Sequence, residues 1–553
     1  MSTRHTFIPA YAYSDQQRHD ARRGLRFDPQ AMHALSDFDR LLFERFGQGP
    51  EVAPPFRCIH HAIEHQARVQ PQAIAARHAG QTLSYQELDR QANHLANHLR
   101  RLGVTFGDQV GLFTRRSLSM LVSMLACMKV GAAYVPLDAT IAPPAQMRYI
   151  IQMARIDVVL TSAACYRNAP QNTAAEWVDV DGYLHEIDRR SGKLSSLPLR
   201  RDANKEDGSQ CCFVLFTSGT TGKPNGVQVS HANLCNILLT APGNLGMKPG
   251  LKVSQILNIA FDMSAWEILG CLGNGATLVI REDSIEAAVR EADIVIATPS
   301  VLAGLDTDHV RPIRVAAVAG EPCPRALADH WAGFCAFYNS CGPTETTIIN
   351  TAQRHHPESE TLGIGMPTPN NTVYILDAEM NPCPIGEVGE MWAGGDCVTM
   401  GYLGNGALTE ERYRPDPFLG HGRMMFRTRD LGRWTRHGQL EHLGRTDDQV
   451  KIRGFRVELD AVSAILESQP GCQRAVALKL NSRDLVAFIA PATLDTTDAR
   501  QRVAEQLPYY CVPKQVFALP ELPLTKRGKI DKRLLLRQAE ALAADLPALT
   551  EEA

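Results

Sequence analysis

CCFVLFTSGTTGKPNGVQVSH, residues 211–231, places an apolar, β-rich run ahead of hydroxyl residues, glycines and a lysine, then a second strand-like run from Gly226 to Ser230. A loop of that composition between two strands suits anion binding. Glycines let backbone N–H groups turn toward phosphate oxygens, Thr217, Ser218, Thr220 and Thr221 add hydroxyl donors, and Lys223 adds positive charge. Gly219 and Gly222 stand too close together for a Walker A loop, and Pro224 follows the lysine where that loop needs Ser or Thr. For this segment alone, a mobile Gly/Thr hairpin is the plain alternative.

Outward from this loop, apolar strand candidates alternate with helical stretches: DQVGLF, AAYVPLD, DVVLTS, ADIVIATP, RVAAVAG and CAFYNS. That rhythm indicates an α/β fold with parallel strands. The runs around Ile296, Ala317 and Tyr338 each end in small or polar residues, and in an open α/β sheet ligands sit at the carboxyl ends of strands. One site is expected to collect all three loops. In LSYQELDRQANHLANHLRRLG, Ser84 and Glu87 form a capping box, Leu88, Leu95 and Leu99 share a face, and Gly103 supplies the stop. From about Lys451 the pattern turns to short strands and helices, the mark of a small α+β domain. The expected division is an extension or linker over 1–55, a large α/β domain with mixed and parallel sheets over 56–446, a small α+β domain over 447–545 and a tail over 546–553.

A chain of 553 residues, 44% hydrophobic, has material for more than one core. With 21% charged residues and a formal net charge of −3, no nucleic-acid footprint is indicated. The most membrane-like stretch, Leu118 to Met128, is bounded by Arg115, Arg116 and Lys129 and reads as a buried helix, so no membrane partner is expected. Fourteen cysteines without a C-x-x-C pair suit reduced thiols in the cytoplasm. His61 and His65 stand one helical turn apart with no third ligand evident, and read as helix surface rather than a metal site.

Further segments follow in order: LSYQEL, MKVGAAYVPLD, FDMSAWE, NSCGPTETT, GEVGEMWAGG with GYL, FRTRDLGRW, GRTDDQVKIRGFRVEL, LPYYCVP and LTKRGKID. With the phosphate loop they make a set, spanning residues 58–536, that resembles the adenylate-forming enzymes and within them the amino-acid adenylation domains of nonribosomal peptide synthetases. The resemblance implies ATP-dependent activation of an amino acid to aminoacyl-AMP, and transfer to the phosphopantetheine thiol of a carrier protein. The chain ends soon after Lys529, so the carrier is expected in trans. Asp430 would hold the ribose hydroxyls, Arg445 the ribose and phosphate, and Gly320 and Glu321 would lie beside adenine. Thr344 would join the nucleotide site. Glu345 would bind Mg2+, a hard cation that prefers carboxylate and phosphate oxygens. Lys529, from the small domain, would bridge the substrate carboxylate and the α-phosphate as charge moves to pyrophosphate. Asp447 would be the hinge about which the small domain turns. Without the resemblance, Glu345 reads as a loop acid and Lys529 as a solvated surface charge.

By the same resemblance Asp262 pairs with the substrate ammonium. At about 4 Å and an effective dielectric near 20 such a pair is worth roughly 4 kcal/mol before desolvation. A helix cap worth about 1 kcal/mol is the alternative reading. Met263, Trp266, Ala297, Ala317, Ala319, Ser340, Ile348 and Ile349 would be the remaining walls, deep and mostly apolar, which implies a large hydrophobic or aromatic side chain. Cys341 stands where the family has a tyrosine that stacks on adenine, and Arg429 where it has a glycine beside Asp430. An acyl-CoA or amide ligase sharing the adenylating half-reaction is one alternative, and a catalytically silent binding homologue is another.

Overall fold

The computed structural model describes residues 27–138, 141–189, 197–199, 206–219, 222–308, 313–525 and 530–544. The predicted strands divide between two sheets instead of sharing one. Gln109–Phe113, Ala133–Pro136, Val158–Thr161 and Cys211–Thr217 belong to a six-stranded sheet. Its last pair, Cys211–Thr217 with Asn225–Ser230, is an antiparallel hairpin at the sheet edge, and the phosphate loop is the turn of that hairpin. Ile294–Ala297, Val315–Val318 and Ala336–Cys341 lie side by side and parallel in a nine-stranded sheet, with Ala297 opposite Val318 and Ala317 opposite Tyr338. Their carboxyl ends lie at one edge, as the small and polar residues that end each run implied.

Helices cover these sheets. Tyr85–Arg101 starts at the expected capping box, Ser84 with Glu87, and Gly103 turns at φ +91°. Leu118–Val130 is buried nearly all round, which explains its membrane-like composition. Its one charge, Lys129, is neutralised by Glu64 at 2.5 Å and Asp89 at 2.7 Å. No helix among the described residues is long and apolar enough to cross a membrane.

A five-stranded sheet carries the long strand Met424–Trp434 between Gly389–Gly395 and Tyr413–Pro415, with Leu440–Arg445 paired to it. Residues 27–55, expected to be extension or linker, are part of this body. The helix Asp37–Gly47 buries Phe43 and Phe46, and Phe27, Met32, Leu35 and Phe43 pack on Tyr374, Trp392 and Phe418. Spaced aromatics in a short amphipathic segment carry little periodic signal, and only the facing sheet reveals what they cover.

From Gln449 onward the chain has its own small cores. A two-stranded hairpin, Gln449–Ile452 with Phe455–Glu458, precedes the helix Leu459–Glu467 and a three-stranded sheet built from Arg474–Lys479, Leu485–Ala490 and Gln515–Ala518. This hairpin reaches back onto the large body.

Candidate active site

Local constraints shape the phosphate loop. A Cβ on Gly219 would stand 2.3 Å from the Lys223 carbonyl oxygen and 2.8 Å from Asn225 Nδ2, so that position has no room for a side chain. Gly222 turns at φ +79° and its N–H donates to the Gly219 carbonyl at 3.0 Å. Lys223 Nζ lies 5.7 Å from the Tyr149 ring centroid. Ser218 Oγ donates to the Arg456 carbonyl at 2.8 Å, which joins the loop to the small-unit hairpin. A groove of about 350 Å3 runs between them, lined by Ser218, Gly219, Gly222, Glu458, Ala461 and Tyr510 among others. Thr220, Thr221 and Lys529 lie outside the described residues.

Glu345 sits in the turn Thr344–Thr346 and is fully buried. Arg456 Nη1 donates to both of its oxygens, at 2.8 and 3.0 Å, and the Tyr402 hydroxyl donates to Oε1 at 2.7 Å. Burial pushes this carboxyl up, but Arg456 foremost, then Arg412 and Tyr402, bring it down to about 2. The expected metal ligand is thus firmly anionic, as a hard cation requires, and in this arrangement a guanidinium rests on it. The residues that follow, Thr347 at φ +56° and Ile348 at φ +71°, are β-branched in left-handed backbone. Strain of about 1–3 kcal/mol at such positions gathers at functional sites.

Strand register brings the ribose pair together. Asp430 faces Arg445 across the sheet beside a register shift. Arg445 Nη1 donates to Asp430 Oδ1 at 2.5 Å, and His442 Nε2 lies 3.3 Å from the same oxygen. Burial raises the Asp430 carboxyl, but His442 and Arg445 more than offset it and hold it below the ordinary range. Arg429, where the family has glycine, turns at φ +63° on the strand's other edge, where its register against Gly389–Gly395 shifts between Arg427 and Leu431. Its guanidinium meets Glu411 at 2.7 Å and Asp447 at 3.6 Å. Arg445 clasps the other side of Asp447, at 2.8 and 3.0 Å, so the expected hinge residue is held between two arginines. Cys341 and Asp430 line a small open pocket together with Trp392 and Thr428. Burial pushes the Cys341 thiol up to about 12, so it is neutral there.

Asp262 is 5% exposed and lies just before the helix Met263–Gly273, where its own backbone is already helical and its side chain makes no capping bond. The cap reading therefore fails. Burial pushes its carboxyl up to about 6, with the Thr344 hydroxyl, the Lys451 ammonium and the Met263 N–H acting the other way. Lys451, from the hairpin, is itself pulled down by burial, then by Arg456, with Asp262 and Asp430 acting the other way. Met263, Ala297, Ala317, Ala319, Ile348 and Ile349 are all buried. Trp266 is fixed by its indole N–H, which donates to the Gly243 carbonyl at 2.5 Å. The Ser340 hydroxyl is buried without a hydrogen-bond partner among the described residues. These walls line neither of the two cavities above. Gly320 turns at φ +85° against Phe261 and Met263, and Glu321 Oε2 accepts the Ser300 N–H at 3.0 Å. The hairpin tip meets this edge, since a Cβ on Gly454 would stand 2.7 Å from Thr298 Cγ2.

Sequence reasoning missed Arg456, Lys451, Tyr402 and His442. Each lies inside or beside a motif already singled out, so the signal was charge and phenol content near a buried acid whose place in space was unknown.

Comparison with known proteins bears on the same residues. A family model described as AMP-binding enzyme matches residues 63–403. Adenylate-forming reductase 06235 of Coprinopsis cinerea is 46% identical over 508 residues, covering 91% of this chain and 49% of the relative. Nonribosomal peptide synthetase 5 of Aspergillus fumigatus is 33% identical over 484 residues, covering 87% of this chain and 21% of that protein. The chain thus spans about half the length of the reductase and a smaller part of the synthetase. Among solved structures, holo-PA1221, an NRPS protein containing adenylation and PCP domains bound to vinylsulfonamide inhibitor, aligns with a TM-score of 0.77 at 23% identity, covering 90% of this chain and 85% of that one. With the family model matched over more than half of the chain, the chain belongs to the AMP-binding enzymes, and its relatives include both an adenylate-forming reductase and a nonribosomal peptide synthetase.

Proposed function

We propose that the chain joins ATP to the carboxylate of an α-amino acid with a large hydrophobic or aromatic side chain, releasing pyrophosphate, and then passes the aminoacyl group to the phosphopantetheine thiol of a carrier protein. Asp262 carries the amino-acid reading. It is a buried carboxylate that makes no N-cap hydrogen bond to its helix, with Thr344 and Lys451 beside it. A buried carboxylate is stable as an anion only beside a cation, and a substrate ammonium supplies one when the Lys451 hairpin withdraws.

In the first step a substrate carboxylate oxygen bonds to the α-phosphorus while the bond to the β-phosphate oxygen breaks, and pyrophosphate leaves. The loop Thr217–Lys223 holds the phosphates, Asp430 and Arg445 the ribose and α-phosphate, and Gly320 and Glu321 flank the adenine. Mg2+ at Glu345 would neutralise phosphate charge, and the Arg456 guanidinium has to leave that carboxylate first. Lys529 stabilises the charge that builds on the phosphates. Rotation at Asp447, with release from Arg429 and Arg445, exchanges the two arrangements. In the second step the carrier thiolate attacks the acyl carbon and AMP departs.

The 46% identity over 91% of the chain favours a further reading of the product's fate: the activated acyl group is handed on to reductive release, as the reductase name of that relative suggests.

Pyrophosphate exchange across a panel of amino acids and plain carboxylic acids tests the proposal. Exchange is expected with large hydrophobic amino acids, abolished in Lys529→Ala and weakened in Asp262→Asn. Loading of a phosphopantetheinylated carrier rather than CoA is expected next. Exchange driven by plain acids and indifferent to Asp262→Asn would make the chain an acyl ligase, and silence with every acid would make it a binding homologue.

A further inference from the structure

Two helix starts meet outside the site described above. Cys58 is the N-cap residue of the helix Ile59–Val69, whose first turn holds His60 and His61. His231 opens the helix His231–Leu238. The His60 ring lies 4.3 Å from that of His61 and 4.9 Å from that of His231, centroid to centroid. One ligand atom each from Cys58, His60 and His61 fall within 4.8 Å of one another.

Two observations point from this cluster to a ligand. His231 is 1% exposed, and neither ring nitrogen has a hydrogen-bond partner among the described residues. A buried polar group left so calls for an explanation, and an absent ion is one. His61 Nε2 lies 2.9 Å from Glu206 Oε2, the carboxylate–imidazole pairing that fixes the tautomer and orientation of metal-bound histidine. The Gln210 amide donates to Cys58 Sγ at 3.1 Å, and the thiol donates to the Glu206 carbonyl at 3.6 Å.

We propose that Cys58, His60, His61 and His231 form a site for a divalent metal of zinc type, which ties the helix Ile59–Val69 to the helix His231–Leu238. One sulfur and three imidazole nitrogens are a borderline-soft set that selects zinc or cobalt over magnesium or calcium. Bonds of about 2.0–2.3 Å place such ligand atoms roughly 3.3–3.8 Å apart, so Cys58, His60 and His61 have to close by about 1 Å around the ion, and the His231 ring, which lies outside their 4.8 Å spacing, has to move farther to complete the set. As the sulfur–metal bond forms, the Cys58 thiol proton passes to solvent. The site is structural, and it does not depend on the proposed reaction.

The test is cobalt(II) titration of the untagged full chain after chelator treatment. One Co2+ per chain is expected, with a sulfur-to-metal charge-transfer band and d–d bands of tetrahedral intensity. Zinc is expected to raise the Tm. Cys58→Ser is expected to lose the charge-transfer band, and Glu206→Gln to weaken binding by about 10–100-fold. No stoichiometric binding, or an unchanged band in Cys58→Ser, overturns the proposal. Should Cys58→Ser fail to fold, the Glu206→Gln titration decides, and an unchanged Kd overturns it.

Discussion

Asp262 and Glu345 are both buried carboxylates of one site, at 5% and 0% exposure, and they end with opposite character. Asp262 is pushed up to about 6 by burial, with a threonine hydroxyl as its nearest help. Glu345 is brought down to about 2 because Arg456 lies 2.8 and 3.0 Å from its oxygens. Burial alone drives a carboxyl toward its neutral form, and a fixed guanidinium reverses the outcome. The amino-acid end of the site thus has only the Lys451 ammonium nearby, while the phosphate end holds a guanidinium in direct contact, both from the small-unit hairpin.

Four measurements would break or sharpen that contrast. Glu345→Gln removes the anion from the phosphate end. It is expected to lower pyrophosphate exchange by about 10²–10³-fold, the loss typical of one preorganised electrostatic element. Near-normal exchange would show that Glu345 serves Arg456 alone.

Arg456→Met should leave Glu345 with burial unopposed. The native Glu345, with its folded pKa depressed, contributes stability above the ordinary carboxylate range that is lost as pH falls from about 4.5 toward about 2. Urea unfolding at neutral and acid pH is expected to show that the variant lacks a pH-dependent part on the order of 3 kcal/mol. Identical acid limbs in the two proteins would break the comparison.

Asp262→Asn is expected to reduce kcat/KM for the amino acid by roughly 30-fold, about 2 kcal/mol, with little change in the KM for ATP. Ammonium binding needs the ionised acid, so the native affinity should fall as pH drops below about 6, and this limb should vanish in the variant. The smallest effect belongs to Thr344→Val. Loss of one hydrogen bond worth about 1 kcal/mol should move the same limb upward by less than one pH unit.

How much was legible depended on distance along the chain. The phosphate hairpin, the Ser84–Glu87 capping box and the buried Leu118–Val130 helix were readable because each is decided by neighbours in sequence. The three strands that end at the site were readable from the small and polar residues that close each apolar run. The docking of residues 27–55 was not, because its apolar side chains become a core only against Tyr374 and Trp392. Nor was the role of Arg456, which lies 111 residues from the acid it holds. The motif resemblance named Glu345, Asp430 and Arg445 without telling that Asp430 and Arg445 pair across a bulge, or that Arg429 takes the left-handed backbone its glycine counterpart would favour.

By itself, then, the sequence determined the family, the hairpin that turns toward phosphate and the set of acids and bases around it, since those follow from composition and order. Only the tertiary structure decided which acid carries a fixed positive partner, and that Cys58, His60 and His61 cluster with the His60 ring against that of His231. Charge and ligand geometry act over a few ångströms of space, and the register that brings such groups together is set by packing between distant segments.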